Sequence, residues 1–165
     1  MDFDVGEKEI VEKIYQRVLH FLSFRPRSEK EIRDFISRKL KQTEERNRII
    51  DEILHRLKEE KLVNDSEFAD WWIDQRLEFN PKGPKIIRGE LLFRGIDREL
   101  VEEKISNIKR QQLKKAAFQI MGQKAKSYVN LDLIEKKNKL VKLLLMRGFE
   151  YDLSKQLVDE FPEKE

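Results

Sequence analysis

The stretch Asn64–Ile105, NDSEFADWWIDQRLEFNPKGPKIIRGELLFRGIDRELVEEKI, reads as a complete unit of three helices. Asn64 or Asp65 can cap the first helix by accepting its free amide hydrogens. Phe68, Ala69, Trp72, Ile73 and Arg76 then recur on one face at helical spacing. The run breaks at Asn80-Pro81-Lys82-Gly83-Pro84. It resumes with Ile86, Ile87, Leu91 and Leu92 as far as Arg94, and stops at Gly95, since glycine accepts the left-handed turn past a helix end. Asp97 caps the third helix. Ile96 just before that cap faces Val101, the spacing of a hydrophobic staple.

Outward from this unit the same order recurs. Towards the N-terminus, Ile10, Ile14, Val18, Leu19, Phe21 and Leu22 stripe a first helix. Ser28 and Glu31 form a capping box before Ile32, Phe35, Ile36 and Leu40. A charged loop around Lys41–Arg46 leads to Ile49, Ile50, Ile53, Leu54 and Leu57. Towards the C-terminus, Leu113, Ala116, Ala117, Ile120 and Met121 line a helix extending towards Tyr128. Asn130 or Asp132 caps the next, with Leu140, Val141, Leu144 and Leu145. Gly148 ends it, and Leu153, Leu157 and Val158 line the last.

A shift of 53 residues, the separation of Gly95 and Gly148, lays Leu91, Leu92, Arg94 and Leu100 on Leu144, Leu145, Arg147 and Leu153. At a shift of 55, Ile36 and Lys39 meet Leu91 and Arg94. At 51, Ile49, Ile50 and Leu54 meet Leu100, Val101 and Ile105. The four-residue difference is a longer loop between the second and third helices of the first unit. The fold expected is therefore all-α: three tandem three-helix repeats, 1–63, 64–107 and 108–165, in an elongated, curved arrangement with a short charged C-terminal tail.

Composition agrees with thin apolar stripes on solvated helices. Of the 165 residues, 41% are charged, and the mean hydropathy is -0.72. No apolar run approaches the roughly 20 residues that span a bilayer, and the N-terminus, MDFDVGEKE, is acidic. A cytoplasmic chain is expected. Cysteine is absent, which excludes disulfides and thiolate metal ligands. Neither G-x-x-x-x-G-K-[ST] nor G-x-G-x-x-G occurs. His20 and His55 stand on separate helices without a motif, and Glu102-Glu103 reads as a solvated face. No enzyme, cofactor or metal is expected. Trp71 points about 100° from Trp72 on the same helix, towards a unit boundary or solvent.

Charge is the remaining signal. The chain carries only +3 overall, but residues 106–149 hold 11 basic side chains against Asp132 and Glu135. Arg25, Arg27, Arg33 and Arg38 surround the first short linker. Lys82, Lys85, Arg88 and Arg94 occupy the equivalent region of the second unit. Lys136, Lys137, Lys139, Lys142 and Arg147 do so in the third, with Lys114 and Lys115 on the helix before. Each alone would be an ordinary solvated face balanced by glutamates. Recurrence at equivalent places points instead to a basic stripe for phosphates or an acidic protein groove.

Arg25-Pro26-Arg27-Ser28-x-x-Glu31-Ile32 resembles the RecX family. So do Asn64-Asp65-x-x-Phe68-Ala69-x-x-Trp72-Ile73-x-x-Arg76 and Lys82-Gly83-x-x-x-Ile87-x-x-Glu90-Leu91-x-x-Arg94-Gly95-Ile96. Arg147-Gly148-Phe149 is similar to the end of the corresponding helix in that family's last repeat. The departures are Ile32 for leucine, Arg94 for lysine, and Leu40 for a helix-ending glycine. The resemblance implies three tandem three-helix repeats. It further implies a monomer that lies in the groove of the RecA–single-stranded DNA filament. There it would inhibit filament extension, ATP turnover, strand exchange and co-protease activity, meeting DNA directly or through the filament. Asp65, Phe68, Ala69, Trp72, Ile73, Arg76, Gly83, Glu90, Leu91, Gly95 and Ile96 would be its structural signature. The residues alone also allow a helical nucleic-acid-binding protein acting by itself, or an adaptor that binds only proteins.

Overall fold

The structure is a computed structural model that describes residues 4–40 and 44–162. Met1–Phe3, residues 41–43 of the inserted loop, and the tail at 163–165 lie outside the described residues. The fold is all-α, with tandem three-helix units. Nine α-helices follow one another among the described residues: α1 (Val5–Leu22), α2 (Glu29–Ser37), α3 (Glu44–Glu59), α4 (Asp65–Glu78), α5 (Pro84–Phe93), α6 (Arg98–Ser106), α7 (Arg110–Ala125), α8 (Leu133–Met146) and α9 (Tyr151–Asp159). One turn of 3-10 helix, Lys126–Tyr128, extends α7.

The helix starts obey local chemistry. Asp4 and Glu7 form a capping box at α1, and Ser28 and Glu31 form another at α2. The Asn64 side chain accepts from the amides of Ser66 and Glu67, so Asn64 rather than Asp65 caps α4. Asp65 instead accepts the amide of Glu29, the first residue of α2. Asp132 caps α8. Gly95 and Gly148 take positive φ, 79° and 89°, past the ends of α5 and α8.

The chain divides into two compact units. One comprises residues up to Trp71 together with Arg94–Asp97; the other comprises Trp72–Phe93 and the chain from Arg98 onward. In the first unit, Ile14, Val18, Ile32, Ile36, Ile50, Ile53 and Leu57 build a continuous core across α1, α2 and α3. Burial of such side chains stabilises by roughly 1.5–3 kcal/mol each. Tyr15, outside the apolar stripe expected for α1, joins this core and is 1% exposed. Its hydroxyl donates to Glu60 while Arg56 covers its ring at 3.6 Å, so its polar tip is satisfied. Ile10, assigned to the apolar side of α1, is 43% exposed.

In the second unit Trp72, Ile73, Leu77, Ile87, Leu91, Val101 and Ile105 are buried, as are Ala116, Ala117, Ile120, Met121, Leu140, Leu144, Leu157 and Val158. Leu92 and Leu145, on the apolar stripes expected to face inward, lie outward. Each directly follows a fully buried leucine, Leu91 or Leu144, and the 100° step between helical neighbours turns it to the rim. The loop before α5 lies against the end of α8. The Gly83 amide donates to the Arg147 carbonyl at 2.7 Å, and the Lys85 amide to that of Gly148 at 3.0 Å.

Candidate functional site

The first linker positions its arginines tightly. Arg25 makes a two-pronged contact with Glu31 at 2.7 and 3.2 Å, and its guanidinium lies 5.8 Å from the Trp71 ring. Trp71 is half-buried beside Phe68, not a free stacking platform. Arg27 rests 3.8 Å above the Phe21 ring, which stacks on Phe35 at 4.4 Å, and Lys39 lies 5.5 Å from Phe35. The sequence marked Arg27 but treated Phe21 and Phe35 only as core. Their flanking cations were the signal for this Arg–Phe–Phe–Lys column.

Burial pushes the Glu31 carboxyl up, but hydrogen bonds from Arg25 and the Ser28 amide outweigh it and hold it below its ordinary 4.5. A depressed folded value gives stability that is present above pH 4.5 and lost as pH falls through the folded value. Glu31→Gln should therefore lose less stability than the unaltered chain between neutral pH and about pH 3, by about 1 kcal/mol. Urea midpoints at the two pH values measure this; parallel losses would contradict it. Asp65 is raised, chiefly by burial and despite the Glu29 amide it accepts, and so favours the fold on the acid side of its transition.

The second unit carries a tighter brace. Glu90 accepts from Trp72 Nε1 at 2.8 Å and from Arg76 Nε at 2.6 Å on the same oxygen, and Arg76 lies 4.5 Å from the Trp72 ring. Arg76 is thereby committed to bracing. Arg94 is half-buried, and its charge acts on Glu31.

The basic candidates separate into two groups. Arg33 pairs with Asp51 at 3.0 Å, Arg88 with Glu102 at 2.8 Å, Lys114 with Glu160 at 2.9 Å and Lys137 with Asp159 at 2.9 Å. Lys115 lies 3.9 Å from Glu78. Arg38, Lys85, Lys139 and Lys142 are exposed, and Lys82, Lys136 and Arg147 half-buried. Lys139 lies 5.7 Å from the Tyr128 ring. The contact of Gly83 and Lys85 with Arg147 and Gly148 brings the backbone of the loop bearing Lys82, and the first turn of α5, against the end of α8.

No group of three or more metal-ligating side chains occurs among the described residues, and no described helix is long and apolar enough to cross a membrane. Short helices in tandem triplets, punctuated by Arg-Gly turns, define a helical-repeat protein. Comparison with known proteins specifies which. Residues 15–57 match the family model described as RecX, first three-helix domain, and residues 64–105 match that of RecX, second three-helix domain, together more than half of the chain. The chain belongs to the RecX family.

Among its relatives, Regulatory protein RecX of Bacillus subtilis strain 168 is 31% identical over 162 residues, covering 96% of this chain and 60% of that protein. Regulatory protein RecX of Bacillus cytotoxicus is 27% identical over 156 residues, covering 94% and 56%. The chain thus spans a little over half the length of these curated relatives. The crystal structure of RecX from Lactobacillus salivarius matches with a TM-score of 0.79 at 27% identity, covering 93% of this chain and 97% of that one.

Proposed function

We propose that this chain is a non-enzymatic, cytoplasmic regulator of the RecA recombinase. It binds the groove of the RecA–single-stranded DNA filament and hinders extension, ATP turnover, strand exchange and co-protease activity. The observation that carries the reading is the match to the first and second RecX domains in tandem order. The repeats proposed to act are 1–63, 64–107 and 108–165, in a monomeric protein. The cations free of ion pairs among the described residues support a phosphate- or acid-facing edge. These include Lys82, Lys85 and Lys139, whereas the paired Arg25, Arg33, Arg88 and Lys137 contribute less net field.

Reversing the charge of Lys136, Lys137 and Lys139 together should weaken co-sedimentation with RecA filaments about tenfold at low salt, with less effect as salt rises. Unchanged affinity would remove this face from the site. The basic excess of residues 106–149 favours one second reading, a helical protein that binds nucleic acid alone. A mobility shift on bare single-stranded DNA separates them. The RecA reading expects the shift to depend on RecA. The second expects tight binding without it, losing about one unit of log-log salt slope per phosphate-contacting lysine removed.

A further inference from the structure

α8 and α9 leave a groove of about 410 Å³ on the side not lined by α7. Its apolar lining is aliphatic: Ile134, Val141, Leu145 and the buried Val158. Ile134 is 74% and Leu145 40% exposed, so the groove presents aliphatic surface to solvent. Its rim is cationic. Lys137 is neutralised by Asp159, the one carboxylate in the lining, at 2.9 Å. Lys142 and Lys155 have no ion-pair partner among the described residues. Lys155 lies 5.6 Å from the Tyr151 ring, so this aromatic is already engaged by a cation.

We propose that the α8–α9 groove receives an acidic amphipathic helix borne by the recombinase, a reading that rests on the function proposed above. Two parallel rows of helix side chains form a trough that fits a third helix, whose large apolar residues would cover Ile134 and Leu145. Carboxylates flanking those residues would meet Lys142 and Lys155. Charge complementarity selects the acidic occupant; a basic or neutral helix would leave both lysines beside a desolvated interface. The lining holds four aliphatic side chains and one ring, Tyr151, which favours the apolar face of a helix over a run of stacked bases.

The test compares the unaltered chain with Ile134→Asp/Leu145→Asp and with Lys142→Glu/Lys155→Glu. All three are titrated against RecA filaments and against bare oligo-dT. Circular dichroism melts check folding, and the lysine pair provides a variant that leaves every apolar contact in place. Both variants should bind filaments at least about tenfold more weakly and bind oligo-dT like the unaltered chain. Filament binding at the unaltered level by either variant overturns the groove inference while the regulator reading stands. An equal loss on oligo-dT also overturns it, by making the groove a nucleic-acid surface. If the unaltered chain binds no filament, both readings fall together.

Discussion

Gly83→Ala should destabilise the protein by about 3 kcal/mol or more, in the range of the large, mechanism-specific effects. A Cβ at this position would lie 2.3 Å from the carbonyl carbon of Gly148, and 2.4 Å from both its oxygen and the Phe149 nitrogen. All three obstacles are backbone atoms, which cannot swing aside as a side chain can. Relieving the clash means separating the loop before α5 from the end of α8. That breaks the bonds from the Gly83 and Lys85 amides to Arg147 and Gly148, each worth about 1 kcal/mol with a further cost if either partner stays buried. Gly148 is itself constrained from the other side, by φ of 89° and by Ile86, whose nitrogen would lie 2.9 Å from an added Cβ. At roughly 2–4 °C per kcal/mol for a chain of this size, the melting temperature should fall by about 10 °C. Gly89→Ala is the internal control. It lies within α5 with nothing inside 4 Å of an added Cβ, so alanine should be neutral or mildly stabilising. A Gly83→Ala melt superposing on that of Gly89→Ala would refute the close-approach account.

Trp72→Ala is the second large effect, an expected loss of about 3–5 kcal/mol. The indole is 8% exposed and packs in the layer that also buries Ile73 and Leu77. Its Nε1 and Arg76 Nε share one oxygen of Glu90, which ties α4 to α5. Alanine removes the apolar volume, one donor to Glu90 and the surface beneath the Arg76 guanidinium. Trp72→Phe keeps most of the volume and loses the hydrogen bond. It should cost about 1.5–3 kcal/mol, as expected of a hydrogen bond to a charged group. Denaturant midpoints rank the three proteins. A Trp72→Phe midpoint equal to that of the unaltered protein would show that the bond from Trp72 to Glu90 does not hold α4 and α5 together.

The fold was legible where chemistry is local. Ser28 and Glu31 identify a helix start by their spacing, and the capping box is there. Ile49, Ile50, Ile53, Leu54 and Leu57 recur at helical spacing and are all buried. Long-range features were not legible. Asp65 sits where a cap for α4 is expected, yet it accepts from the first residue of α2, a partner 36 positions away. Gly83 belongs to a recognisable signature, but only the approach of Gly148 explains why no larger residue fits. The end of α3 carries no glycine, and Lys61 supplies the positive φ of 56° instead. Tyr15 was passed over because its hydroxyl reads as polar until Glu60 is placed beside it. At the candidate interface the sequence counts charges but not their partners. Arg33, Arg88, Lys114 and Lys137 are as basic in sequence as Lys85 and Lys142, and only the fold shows which of them face a carboxylate.

RecA ATP hydrolysis on single-stranded DNA, with this chain titrated in, tests the proposed regulation of a recombinase filament most directly. Hydrolysis is expected to fall with increasing protein, and the protein to co-sediment with the filament. Hydrolysis at its starting rate, with the protein left in the supernatant at every concentration, would contradict it.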